Sequence, residues 1–313
     1  MPESTPQAVP DADPGTSSEV DAAEPAGSQA PGVRVLFEGR YRKLVRDLPQ
    51  TVFFCPECKG RGCARCEGFG KLTKDSVQEL IARVAMPRFK ARRNKFHGAG
   101  REDLDVRMLG NGRLFVFEML KARRPEADLQ ELAAEVNRRF EGRIEIFDLR
   151  LCGRRRVAEI KETRCAKEYL ARVKFGEGFP GDEEMGRRLK ALQARESVTI
   201  LQTTPARVAH RRSLLDRERW IRLLSWEQDA GDWLLLIRSA HGTYIKEAVS
   251  SDEGRTKPSL SDLLGVPCSC AALDVMAILP PDGTDQSHMP TPTISPSATM
   301  EPSSRSSCPP QEK

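Results

Sequence analysis

Leu170-Ala171-Arg172-Val173-Lys174-Phe175 places Arg172 and Lys174 between apolar neighbours, a period of two. Alternate side chains then point to a core and to solvent, as in a half-exposed antiparallel strand. It belongs to a strand predicted over 169–175, and further strands are predicted outward from it over 114–120, 144–151, 197–203, 220–228, 233–239 and 273–279. Asp75 and Ser76 offer an N-cap to apolar residues at helical spacing over 75–84. A second helix is predicted over 126–140, with Leu129, Leu132, Ala133, Val136 and Phe140 on one face. The fold class is therefore α+β, a long mixed or antiparallel sheet flanked by helices, and no repeat of solenoid period is visible.

The chain of 313 residues is 39% hydrophobic, enough for a buried core. Residues 1–32 contain six acidic residues and no Lys or Arg, and residues 282–313 are rich in Pro, Ser and Thr. Both are predicted to be disordered tails. They carry charges of −6 and −2 out of the overall +5, so residues 33–281 hold about +13. A basic body of that kind favours a polyanionic partner, nucleic-acid phosphate above all. No run of about 18 apolar residues suggests a membrane span, and the acidic start lacks the features of a signal peptide or presequence. A reducing, intracellular setting, cytoplasmic or nuclear, is expected.

Four of the nine cysteines form two C-x-x-C pairs, Cys55/Cys58 and Cys63/Cys66, with Gly60, Gly62, Gly68 and Gly70 around them. Paired knuckles of this spacing suit four-thiolate zinc, and glycines allow the chain to turn behind the metal. Disulfides are disfavoured in a reducing setting, and a redox pair does not need tandem knuckles. Four thiolates fill the shell and leave no open position for a catalytic water, so the expectation is structural zinc over 55–70.

Gly100-Arg101-Glu102-Asp103-Leu104-Asp105-Val106-Arg107 presents a carboxylate between arginines. Lys167-Glu168-Tyr169 and Gly242-Thr243-Tyr244-Ile245-Lys246-Glu247 add aromatics and lysines. A nucleophilic carboxylate, a base-stacking ring and a lysine to hold the carboxylate ionised are the parts needed to rearrange a uridine. Together with Arg46-Asp47-Leu48-Pro49-Gln50-Thr51, Gly112-Arg113, Pro205 through Arg212 and Gly254-Arg255-Thr256-Lys257-Pro258, these segments resemble the pseudouridine synthase 10 family. That resemblance covers nearly all of 33–281.

The resemblance implies a pseudouridine synthase fold and an isomerase acting on the TΨC arm of tRNA at position 55, 54 or both, a reaction that oxidises nothing and uses no cosubstrate, so no catalytic cofactor is expected. By position, Asp103 matches the nucleophile, Arg101 a nucleotide-extruding arginine, and Tyr169 the aromatic that stacks on the flipped base and takes the C5 proton. Tyr244 matches the second aromatic, Lys246 the basic partner of Asp103, and Arg107 and Arg255 substrate-binding arginines. Family members usually carry an N-terminal RNA-binding domain of the THUMP type, where here only about 32 residues precede the body. A separate RNA-binding partner would fill that role. The rival readings are an inactive, zinc-stabilised RNA-binding protein and a J-protein-like chaperone, the latter lacking any His-Pro-Asp tripeptide.

Overall fold

The computed structural model of the protein describes residues 32–281 except 212 and 230. The tails expected at 1–32 and 282–313 lie, but for Gly32, outside the described residues. In chain order the elements are β1 (Val33–Lys43), α1 (Val77–Arg88), β2 (Arg93–Gly98), β3 (Arg107–Ala122), α2 (Leu129–Arg139), β4 (Ile144–Leu151) and α3 (Arg156–Glu162). There follow β5 (Lys167–Phe175), α4 (Asp182–Gln193), β6 (Val198–Thr203), β7 (Asp216–Asp229), β8 (Asp232–Ser239), α5 (Ile245–Ser250), β9 (Thr256–Lys257), α6 (Leu260–Leu264) and β10 (Cys268–Ile278).

The strands form one sheet in the order β4-β1-β3-β10-β5-β8-β7-β6-β9, with β2 also paired to β3. All these pairings are antiparallel except β3 with β10, which is parallel through Arg107 opposite Asp274 and Met108 opposite Val275. The sheet is thus mixed, two antiparallel halves joined along one parallel seam. Beyond the seam β3 must leave β10, and Gly110 makes this possible. Its φ is +52°, and a Cβ there would stand 1.5 Å from the Met276 carbonyl oxygen. Only glycine tolerates that approach.

One face of the sheet carries the main core. Phe37, Phe89, Phe115 and Phe117 are fully buried, with Phe37 stacked on Phe89 and Phe117. Each such ring contributes about 1.5–3 kcal/mol when removed from water. The predicted helices are present as α1 and α2. Ser76 Oγ accepts the Glu79 amide to cap α1, and Asp128 accepts those of Gln130 and Glu131 to cap α2. On the opposite face, α3 packs Ile160 near Leu36 and Val116.

Candidate active site

The segment 100–106 ends where β3 begins, beside the parallel seam, and it is fixed by the end of β1 and the turn after it. The Lys43 ammonium, fully buried, donates to the carbonyls of Leu48, Asp103 and Leu104 at 2.9, 3.2 and 3.1 Å. Gln50 donates to Gly100 O at 3.0 Å and Arg46 to Asp105 O at 2.6 Å. Glu102 turns inward, where it accepts the Tyr41 hydroxyl at 2.8 Å and Arg113 Nε at 2.8 Å. Both side chains of that ion pair are almost fully buried, at 1% and 2% exposure. With Glu102 pointing into the core, Asp103 emerges at the surface of the turn.

Burial pushes the Lys43 ammonium down to about 8. The folded state then holds this proton less tightly than the unfolded chain, where lysine titrates near 10.5. The associated penalty is constant below about pH 8 and is relieved as pH rises from about 8 towards 10.5. The unfolding free energy of the parent should therefore climb relative to Lys43→Met by roughly 3 kcal/mol over that window. Denaturant titrations at pH 8 to 10.5 measure it, and parallel curves for the two proteins would contradict it.

Asp103 opens into a cleft of about 290 Å³. Val106, Ile245, Leu273 and Val275 line it with apolar surface, and Arg101, Lys167, Tyr169, Arg207, His241, Tyr244 and Lys246 line it with polar groups. Arg207, from a 3-10 turn over Ala206–Arg211, places Nη1 at 3.0 Å from Asp103 Oδ2. Its Nε donates at 2.5 Å to Glu247, a buried carboxylate whose other oxygen has no partner among the described residues. The same guanidinium lies 5.8 Å from the centre of the Tyr244 ring. Arg207 thus joins the open carboxylate, a buried one and an aromatic face.

Tyr169 points to the cleft from β5, where Val275 of β10 and Ile237 of β8 are its cross-strand neighbours. Burial pushes its phenol up to about 12, against the pull of Arg113. It is a neutral, flat surface at physiological pH. Tyr244 caps α5, its backbone held on both sides by Gln202, through N–H to Oε1 at 2.8 Å and C=O from Nε2 at 2.9 Å.

Of the predicted residues, Asp103, Arg101, Tyr169, Tyr244 and Lys246 meet in the cleft. The predicted pairing of Lys246 with Asp103 is not formed. Lys246 Nζ bonds Asp105 Oδ2 at 2.6 Å instead, and Arg207 takes the place beside Asp103. Burial acts to raise the Asp105 carboxyl, but the bond and charge of Lys246 hold it below the usual range. Arg107 is also placed elsewhere. It grips Asp274 through Nε and Nη2 at 2.9 and 2.6 Å, and Arg46 joins the same carboxylate at 2.8 Å. Those bonds knit β3 to β10 below the cleft. Arg255 lies outside the lining, 3.7 Å from Asp252. Arg207, Glu247 and the Glu102–Arg113 pair were not singled out in the sequence. All four residues do stand in segments that carry the resemblance, and that is the available signal.

Cys55, Cys58, Cys63 and Cys66 converge with all four sulfurs within 4.8 Å of one another. The Cys55–Cys63, Cys58–Cys66 and Cys63–Cys66 separations are each 3.7 Å. A tetrahedral ion with metal–sulfur bonds of about 2.3 Å has sulfur–sulfur edges of about 3.8 Å. Amides of Gly62, Cys63 and Gly70 donate to the sulfurs of Cys58, Cys66 and Cys66 at 3.2, 3.3 and 3.2 Å, as thiolate ligands require. Gly70 has φ +70°, and a Cβ there would meet Gly60 O at 2.4 Å, so the second knuckle closes only around glycine. The donor set fits a four-coordinate metal ion. Phe53, Phe54 and Phe69, close to these cysteines in sequence, are exposed.

A basic cleft with one open carboxylate and two aromatic faces suits a nucleobase drawn out of its stack. The family described as Pus10, C-terminal, matches residues 36–279, and the chain belongs to that family. Among its relatives is a tRNA pseudouridine synthase Pus10 of Methanothermobacter marburgensis, 44% identical over 78% of this chain and 60% of its own length. Those of Methanopyrus kandleri and Methanocaldococcus jannaschii are 40% and 42% identical, over 81% and 78% of this chain and 58% and 53% of their own. The chain therefore spans between half and two thirds of the length of these relatives. A solved Cbf5-Nop10-Gar1 complex is similar at 15% identity with a TM-score of 0.38, over 66% of this chain and 46% of that one. Among the described residues no helix is long and apolar enough to cross a membrane.

Proposed function

We propose that this chain isomerises uridine to pseudouridine in the TΨC arm of tRNA, at position 55, 54 or both. The observation that carries this reading is the placement of Asp103, open to the cleft and flanked by Arg207, beside the Tyr169 ring. A uridine inside a folded arm must leave its stack before any side chain reaches it, and Tyr169 and Tyr244 offer faces to receive the ring. Arg101, exposed at the cleft mouth, is the cation that helps draw it out.

Asp103 acts as nucleophile while the C1′–N1 bond breaks, and the uracil turns and rejoins through C5. The C5 proton is lost and N1 gains one, so nothing is oxidised and no cosubstrate is consumed. Arg207 holds the attacking carboxylate and Glu247 holds Arg207. Tyr169 could take the C5 proton only as phenolate, which its burial disfavours, so stacking is the role its surroundings support. RNA labelled with tritium at uridine C5 tests the reaction. Label should pass to water from an unmodified tRNA transcript in step with pseudouridine formation, and no release would overturn the proposal.

The four-cysteine site, on the same reading, holds one structural zinc ion. Metal analysis should find about one zinc per chain, lost in Cys58→Ser together with a lowered melting temperature. Metal-free protein with unchanged melting would contradict it.

A further inference from the structure

Five cationic or cation-forming side chains gather along one lip of the cleft with no carboxylate among them. Lys167 and His241 line the cleft itself. Arg219 packs its guanidinium against Gly242, 3.7 Å from where a Cβ would stand, and Arg164 and Arg217 lie close enough to act on it as like charges. Burial, and then the charges of Lys167, Arg219 and Arg164, push the His241 imidazole below its usual range, so it stands among them as a neutral hydrogen-bonding ring. Among the described residues none of the five forms an ion pair. Their hydrogen bonds go to neutral acceptors: Lys167 to Cys165 O at 3.5 Å, Arg219 to Glu218 O at 2.7 Å, and Arg217 to Thr204 Oγ1 and Leu215 O at 3.2 and 3.4 Å. Arg219 Nε is buried without any partner.

Elsewhere the fold matches most of its arginines to acids, as at Arg107 with Asp274, Arg113 with Glu102 and Arg172 with Asp232. Four like charges, on Arg164, Lys167, Arg217 and Arg219, left unmatched at a cleft mouth cost self-repulsion, which an anion would relieve. We propose that Arg164, Lys167, Arg217, Arg219 and His241 form a phosphate-binding lip that grips the RNA backbone next to the nucleotide entering the cleft. This inference rests on RNA being the substrate. The lip carries no base-reading geometry, so it positions the strand and leaves selection of the uridine to other contacts.

Equilibrium binding of an unmodified tRNA transcript, measured across salt concentrations, tests it. R164Q/R219Q should flatten the slope of log K against log salt by one to two, about 0.7–0.9 per lost phosphate contact, while R164K/R219K keeps the parental slope. Arg164 is exposed and makes no hydrogen bond or ion pair among the described residues, so R164Q alone decides the matter should the double variant fail to fold. A parental slope in folded R164Q/R219Q, with the parent forming pseudouridine, overturns the lip alone. A flattened slope without pseudouridine from the parent supports the lip and overturns the chemistry. No binding by the parent overturns both.

Discussion

Asp103→Ala should lower the single-turnover rate of pseudouridine formation by at least on the order of 10⁴-fold, with RNA binding changed little. The side chain is 39% exposed and, among the described residues, pairs with Arg207 alone, equally exposed, so its loss removes little folding free energy. Arg207 keeps its bond to Glu247, and the backbone of 100–106 keeps Lys43, Arg46 and Gln50. What disappears is the carboxylate proposed as nucleophile. Rate and binding measured side by side on one transcript separate the roles, and equal losses in both would make Asp103 a binding contact.

Glu102→Ala, one residue away, should act through stability. Removing that carboxylate strands the Arg113 guanidinium, buried to 1% exposure, and frees the Tyr41 hydroxyl that two of its oxygens now accept. Breaking a buried ion pair from one side costs about 3–5 kcal/mol. Glu102→Leu combined with Arg113→Met should cost much less, because no charge is left unpaired in the core. Denaturant midpoints of the single and paired variants read this directly. A single variant within about 1 kcal/mol of the parent would show that the pair does not anchor the turn.

The parts of the fold that were legible in the sequence are those whose two faces differ. β4 spans the predicted 144–151 and α1 starts after the predicted cap Ser76, whereas α2, predicted from 126, starts only at Leu129 after Asp128. β1 was not predicted because Leu36 and Phe37, adjacent in sequence, are both buried on opposite faces, so no alternation shows. β3 starts earlier than predicted, through Gly110-Asn111-Gly112, where glycines serve the crossing from β10 to β2 and read in sequence as a break. α4 was missed, a polar helix that buries only Met185, Leu189 and Leu192.

The site divides in the same way. Residue types at the cleft could be read from motifs, since Asp103, Tyr169 and Tyr244 each belong to a short segment. Pairings could not, because they depend on which of two carboxylates, Asp103 or Asp105, faces α5. Tight anchoring by Lys43 and Glu102 turns Asp105 to Lys246, and Asp103 is left to an arginine more than a hundred residues away. Arg107, read as a substrate contact, serves the seam because β3 and β10 pair in parallel at that residue.

The central claim is tested most directly by mapping pseudouridine, position by position, in an unmodified tRNA transcript treated with the parent protein and with Asp103→Asn, which keeps the side-chain shape. Pseudouridine at one or both adjacent uridines of the TΨC arm with the parent, and none with Asp103→Asn, is the predicted result. Product from both proteins, or from neither, would contradict it.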